Sequence, residues 1–286
     1  MTQFAASTHP GLKRDHNEDC YDASPELGLW LVADGVGGHA HGEVASGIVK
    51  ETVKSAVASG KSLTDAITKS HQAILKEIDR RADGSNMGST VVVLHLQGSD
   101  FDLAWVGDSR AYLYRDDGLE QLSRDHNPVS EMLRQGILTP EQAAVHPERH
   151  VLSQSLGVSS NVVVNPDSAS GTLAAGEQII LCSDGLSDEL TDAGIAAIMA
   201  REATPQAQVD ALIHGALNAG GSDNVTVVVV GTPSARPAAP HGGIDLETTQ
   251  NIGHAVATNK TERVSHTGKV WLLVGALLLL GLWLLL

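Results

Sequence analysis

The chain is organised around LWLVADGVGGHAHGEVAS, Leu29 to Ser46. It opens as an apolar run with the length and composition of a buried strand, stops on Asp34-Gly35, crosses a glycine-rich turn and enters a helix near Glu43. Asp34 is therefore carried by a rigid element. Taken alone, Asp-Gly after a strand is a turn signal. The pattern recurs, however. Apolar runs meet an acidic residue again at Ile179 to Gly185 (IILCSDG) and at Leu103 to Ser109 (LAWVGDS), and Asp223 in GGSDN opens the run Val225 to Val230. Four carboxylates at strand ends predict a site for a hard divalent cation, which prefers oxygen ligands.

Composition narrows the function classes. With 286 residues, 42% of them hydrophobic, the chain can bury a sizeable core. A formal net charge of −15 argues against nucleic acid as a partner, because several phosphates would have to be neutralised by basic side chains. The two cysteines, Cys20 and Cys182, form neither a disulfide framework nor a zinc-ligand pair, which suits a reducing compartment. No repeat of solenoid length is present, and a monomer is expected.

The two ends differ. The N-terminal stretch MTQFAASTHPGLKRDHNED lacks the apolar segment of a secretory signal. Val270 to Leu286, VWLLVGALLLLGLWLLL, carries no charge and follows Lys260, Arg263 and Lys269. A helix of that length reaches about 26 Å, slightly short of a ~30 Å hydrocarbon core but workable with Lys269 snorkelling. Leu on every face leaves no polar side for water, so a single C-terminal transmembrane helix is expected. The upstream cations place the N-terminal body in the cytoplasm, at the cytoplasmic membrane. Thr232 to Gly268, with Pro233, Pro237, Pro240, Gly242 and Gly243, reads as a flexible tether. The expected organisation is a folded domain over 1–231, a tether over 232–268 and an anchor over 269–286.

Within the domain, strands are expected at Leu27 to Asp34, Gly88 to Leu96, Asp102 to Ser109, Ala111 to Arg115, Leu119 to Leu122, Gln178 to Asp184 and Asn224 to Gly231. Helices are expected near Glu43 to Ser59, Leu63 to Arg81, Asp192 to Arg201 and Pro205 to Ala219. Asp116-Asp117-Gly118 reads as a hairpin turn, and such short connections force antiparallel neighbours. Pro128, Pro140 and Pro147 break Asp125 to Gly157 into brief helical patches, a flap beside the site. Runs of strands and paired helices predict an α+β fold, with helices covering an antiparallel sandwich. Arg14 to Asp19 (RDHNED) reads as a polar turn in which a guanidinium could clamp a phosphate.

These segments together resemble a known family. R-x-x-N-E-D at Arg14 to Asp19, ADGVGGH at Ala33 to His39, GST at Gly88 to Thr90, GDSRAY at Gly107 to Tyr112 and LSRDHN at Leu122 to Asn127 are joined by three more. These are HPERHVLSQSLG at His146 to Gly157, SDGLSD at Ser183 to Asp188 and GGSDNVTVVVV at Gly220 to Val230. In this order they resemble the metal-dependent protein serine/threonine phosphatases (PPM, type 2C), above all the compact bacterial members. The match spans nearly all of 1–231 and does not reach the tether or anchor.

The resemblance implies a four-layer α-β-β-α sandwich of two antiparallel sheets flanked by helix pairs. It implies two Mg2+ or Mn2+ ions, with a possible weaker third. Asp34 would bridge the pair, the carbonyl of Gly35 would bind one ion, and Asp184 and Asp223 the other. Asp108, with Asp184, matches the weaker site. Arg14 would hold the substrate phosphate, and Glu18 and Asp19 metal-bound water. The implied reaction is attack on a phosphoserine or phosphothreonine of a protein by hydroxide shared between two metals. Two cations offset the anion's charge and acidify the water.

One position departs from the family's eukaryotic pattern: Val36 stands where many eukaryotic members carry an acid histidine. His39 or a water could protonate the leaving group instead. His16, His41 and His126 are expected to be structural or solvent-facing. The tether implies a reach of roughly 30 to 40 Å, hence membrane-proximal phosphoproteins such as a Ser/Thr kinase or its substrates.

Rival readings are weaker. Gly35 to Ala40 satisfies G-x-G-x-x-A, yet two helices and hairpins follow instead of parallel units. Ser55 to Ser62 ends like a P-loop but follows no strand. Cys182 has no arginine in the following turn, which disfavours a cysteine phosphatase. A non-catalytic scaffold that binds phosphoproteins at the membrane is the alternative from another class, and it would not need the acidic residues and Arg14 that are retained here.

Overall fold

Leu29 to Ala33 is buried at every position, and the fold explains why an antiparallel strand can be apolar on both faces. Leu29, Leu31 and Ala33 pack under a helix pair, while Trp30 and Val32 point into the space between two sheets. The computed structural model describes residues 2–37, 41–81, 86–116, 118–159 and 163–231. The tether, the anchor and His39 lie outside them. Among the described residues no helix is long and apolar enough to cross a membrane.

The first half of the chain runs β1 (Phe4–His9), β2 (Asp19–Ser24), β3 (Leu29–Gly37), α1 (His41–Ala58), α2 (Leu63–Arg81), β4 (Met87–Ser89), β5 (Val91–Gln97), β6 (Asp100–Val106), β7 (Arg110–Arg115) and β8 (Gly118–Gln121). It continues with α3 (Pro128–Arg134), α4 (Pro140–Ala144), β9 (Asp167–Thr172), β10 (Gln178–Cys182), α5 (Asp184–Ser187), α6 (Asp192–Arg201), α7 (Pro205–Ala219) and β11 (Val225–Val230). One sheet has the order β1-β11-β10-β7-β8, the other β2-β3-β5-β6-β9 with β4 added to β3. All pairings are antiparallel.

Three apolar layers hold four layers of structure. Helices α1 and α2 cover the second sheet through Val49, Val53, Ile67 and Ile74. Helices α6 and α7 cover the first through Ile195, Met199, Val209 and Leu212. The sheets meet over Trp30, Leu94, Leu103, Leu113, Leu181 and Val228. In β11 the alternation is explicit, with Val225, Val227 and Val229 facing α7 and Val228 and Val230 facing the other sheet. Each such valine contributes roughly 1.5 to 3 kcal/mol through burial. Helix starts are set locally: Thr191 and Thr204 accept the amides of Gly194 and Ala207, and Pro205 occupies the first turn of α7.

The α-β-β-α architecture is the expected one, with corrections in detail. β3 does not stop on Asp34 but runs on to Gly37, because Gly35 to Gly37 pair with β4. The run from Gly88 to Leu96 is two strands, broken at Thr90. Strands β1, β2 and β9 fall where none was expected. They are edge strands of their sheets. β3 has antiparallel neighbours on both sides, which excludes the dinucleotide-binding reading. Ser55 to Ser62 closes α1 and enters the turn to α2, so it is no P-loop.

Candidate active site

Asp34 sits where β3 changes partner from β5 to β4. Its amide donates to Thr90 Oγ1 at 3.2 Å, and its carbonyl accepts from the Thr90 amide at 2.8 Å and Ser89 Oγ at 3.0 Å. These bonds bring the segment GST beneath ADG. Thr90 Oγ1 lies 2.7 Å from Ser109 Oγ, which draws in the turn GDS with Asp108. Gly35 donates its amide to the Glu18 carbonyl at 3.2 Å, and a Cβ at Gly35 would lie 2.7 Å from that oxygen and run into the Gly42 carbonyl. Only glycine lets β2, β3 and the start of α1 meet this closely.

On the other sheet, Asp184 opens α5 directly after β10, and Asp223 precedes β11. Asn224 draws the N-terminal loop over them: its Oδ1 accepts the Glu18 amide at 2.8 Å, and its Nδ2 donates to the carbonyls of Pro10 and His16, both at 2.9 Å. Arg14 thereby reaches Asp223, with Nη2 donating to Oδ2 at 2.7 Å, while more than half of the arginine side chain stays exposed. Asp19 lies opposite Asp34 in the strand register. Its Oδ2 accepts from Ser183 Oγ at 2.7 Å and from Thr226 Oγ1 at 2.6 Å. Glu18 Oε1 accepts the Gly42 amide at 3.2 Å, bracing α1.

Residues far apart in sequence thus share one end of the sandwich, and their charges interact. Burial, then repulsion from Asp19, Asp184, Asp108 and Asp223, pushes the Asp34 carboxyl well above the usual range. Burial, then Asp108, Asp188, Asp223 and Asp19, does the same to Asp184. Burial and Asp125 push Asp108 up to about 7. Burial pushes Asp19 up to about 6 against the opposing hydroxyls of Thr226 and Ser183. Asp19 Oδ1 and Asp184 Oδ1 are buried without a hydrogen-bond partner. Buried, mutually repelling carboxylates with unpartnered oxygens fit a divalent cation, which satisfies the oxygens and cancels the repulsion.

Beside this centre lies a cleft of about 540 Å³, lined among others by Asp108, Arg110, Asp125, Arg149, His150 and Asp188. Of these residues only Asp108 was expected at the site, and His150 and Asp188 stand nearest the carboxylates. His150 Nδ1 lies 3.2 Å from Asp188 Oδ2, and ligand atoms of His150, Asp184 and Asp188 lie within 4.8 Å of one another. Asp188 follows Asp184 by one helical turn in SDGLSD, a spacing that could have flagged it. His150 lies in HPERHVLSQSLG, whose spacing gives no sign that it faces Asp188. His126 is buried, which makes it the structural one of its two expected roles. Burial pushes the Cys182 thiol up to about 12, which leaves it no role as a nucleophile.

Residues 4–132 match the family model for protein phosphatase 2C. The serine/threonine phosphatase stp of Listeria innocua is 34% identical over 238 residues, covering 78% of this chain and 93% of that protein. The chain belongs to the protein phosphatase 2C family. PstP of Mycobacterium tuberculosis, a serine/threonine protein phosphatase, is 36% identical over 243 residues, which cover 80% of this chain but 45% of PstP. The match therefore spans about half the length of that relative. The crystal structure of the PstP catalytic domain in complex with two manganese ions superimposes with a TM-score of 0.71 at 33% identity, covering 80% of this chain and 97% of the solved one.

Proposed function

We propose that this protein phosphatase 2C member is a metal-dependent protein serine/threonine phosphatase. The observation that carries the reading is the set of buried carboxylates at one end of the sandwich, two with unpartnered oxygens, beneath an exposed arginine. Asp34, the Gly35 carbonyl, Asp184 and Asp223 would hold two Mn2+ or Mg2+ ions, and Asp108 with Asp184 a weaker third. When bound, the ions supply positive charge against the phosphate and make water acidic enough to be a nucleophile near neutral pH.

The chain's own groups supply the rest. Arg14 presents guanidinium donors at the rim, suited to two oxygens of a phosphate. Asp19, fixed through Oδ2 by Ser183 and Thr226, leaves Oδ1 to orient water or accept a proton. Glu18 braces the start of α1 and assists there. His39 is the candidate donor of a proton to the departing alkoxide. The cleft beside the centre would receive the peptide around the phosphorylated residue.

Phosphorylated proteins, among them a membrane-proximal Ser/Thr kinase or its substrates, are the proposed partners. The motivation is the apolar run Val270 to Leu286, which would hold the phosphatase domain of a monomer at the cytoplasmic membrane. Hydrolysis of a phosphothreonine peptide by the full-length chain with Mn2+, abolished by EDTA and by Asp184→Asn, tests the activity. Binding of the peptide without hydrolysis would favour the scaffold reading. Recovery of the protein in the soluble fraction of disrupted cells would overturn the anchor.

A further inference from the structure

Asp125, His126 and Asn127 are consecutive, polar and each more than nine-tenths buried. Burying three polar side chains in a row is costly unless each finds partners, and each turns to a different element. Asp125 accepts Arg110 of β7 through Nε at 2.9 Å and Nη2 at 2.7 Å. Asn127 accepts the Ser130 amide at 2.7 Å, capping α3, and donates Nδ2 to the Arg149 carbonyl across the flap at 2.9 Å.

His126 faces the turn that presents Asp108. Its amide donates to the Gly107 carbonyl at 2.9 Å, and its Nδ1 accepts the Gly107 amide at 3.3 Å. With Nδ1 as acceptor the proton sits on Nε2, which is buried without a hydrogen-bond partner and faces Asp167 Oδ2 on β9 at 3.4 Å. Gly107 has φ +106°, and a Cβ there would lie 2.6 Å from Thr90 Cβ. Gly107 has no side chain with which to hold itself, so beside the Ser109 hydroxyl on Thr90 its own two backbone polar groups are the handles a neighbour can use.

We infer that His126 is a positioning residue for Asp108: it grips both backbone groups of Gly107, while Asp125 and Asn127 extend the same grip to β7 and the flap. Asp108 and the base of the flap then move as one body. The inference rests on reading Asp108 as a cation ligand. A ligand's supporting hydrogen bonds typically control metal affinity about 10- to 100-fold.

The two ring nitrogens can be separated. An asparagine oxygen falls where Nδ1 stands, and a glutamine amide reaches the place of Nε2. Calorimetric Mn2+ titration of the full-length chain in mild detergent reads the outcome, using the binding event lost in Asp108→Asn. His126→Asn is expected to keep that event within about threefold of wild type, and His126→Gln to weaken it about tenfold or more, although both lose the ring's packing and a similar amount of thermal stability. Equal weakening by both, or by neither, overturns the inference. Should His126→Gln not fold, Asp167→Ala at the more exposed end of the contact is expected to weaken the event about threefold, and no change there overturns it. If Asp108→Asn removes no Mn2+ while Asp34→Asn does, the inference falls and the phosphatase reading stands. If Asp34→Asn removes none, that reading falls with it.

Discussion

At the carboxylate end of the sandwich, Asp19, Asp34 and Asp184 are carried by strands or strand ends with packed layers on both sides. The flap from Asp125 to Gly157 instead leaves Leu133, Ile137, Val145 and Val151 open to solvent. The first region is rich in apolar support and strained by charge. The second has little apolar support and is fastened at its two ends, with His150 meeting Asp188 between them. One fastening is Asp125 to Asn127. At the other, Leu156 exchanges amide and carbonyl bonds of 2.8 and 3.1 Å with Ser89, and Gly157 donates its amide to His71 Nδ1 at 3.0 Å. A two-sided β platform can tolerate repulsion that a flap could not, so the charged chemistry is placed on the platform and the adaptable wall is the flap.

The comparison breaks most visibly at Asp34. Asp34→Asn is expected to lower Mn2+-dependent hydrolysis of a phosphothreonine peptide by about 10³-fold or more. In EDTA the same variant should melt at a higher temperature than wild type, because the amide needs neither a buried charge nor the proton that neutralises it. A lower melting temperature in EDTA would show that the platform favours the charge.

The next effect is on stability against pH in EDTA. Asp19, at about 6, and Asp108, at about 7, are raised above their unfolded value near 3.8, so the folded chain holds protons the unfolded chain has released. The stability they contribute is present below about pH 4 and lost as pH rises through 6 to 7, a change on the order of a few kcal/mol. Saturating Mn2+ should flatten this slope. At His71 of α2, which holds the end of the flap, the sign reverses. Burial lowers the His71 pKa, so its contribution is present above the usual histidine value and lost as pH falls. Denaturant melts at pH 5, 6, 7 and 8, with and without His71→Phe, separate the two.

Smaller still is Gly157→Ala. The glycine has φ +81°, and a Cβ would lie 2.7 Å from the Met87 carbonyl. A cost of about 1 to 3 kcal/mol is expected, with faster proteolytic cleavage in the flap than in the sandwich. Val145→Ser, at a side chain 77% exposed, should change stability by no more than about 0.5 kcal/mol. A larger loss would mean that the flap does have apolar support.

Much of this was legible from residue order. β3, β10 and β11 are buried on both faces and so appear as continuous apolar runs, while α1 and α2 bury one face and show the helical period. The missed strands, β1 (FAASTH), β2 (DCYDAS) and β9 (DSASGT), are sheet edges. An edge strand takes its conformation from the ladder beside it and needs no apolar alternation of its own, so short polar segments gave no signal. β8 is also an edge strand, but the hairpin turn at Asp116 to Gly118 marked it. Asp34, Asp108, Asp184 and Asp223 could be picked out because each borders an apolar run.

Residue order sets which groups are available: the carboxylate oxygens, the apolar layers long enough to bury them, and the glycines without which β3 and α1 could not approach. Tertiary structure alone decided which groups meet. Arg14 reaches Asp223 because Asn224 ties down the loop between them, His150 joins Asp188 across the cleft, and His126 turns inward to hold Gly107. Those contacts span parts of the chain whose separation is set by how two sheets pack, and packing of that kind leaves no local trace in the order of residues.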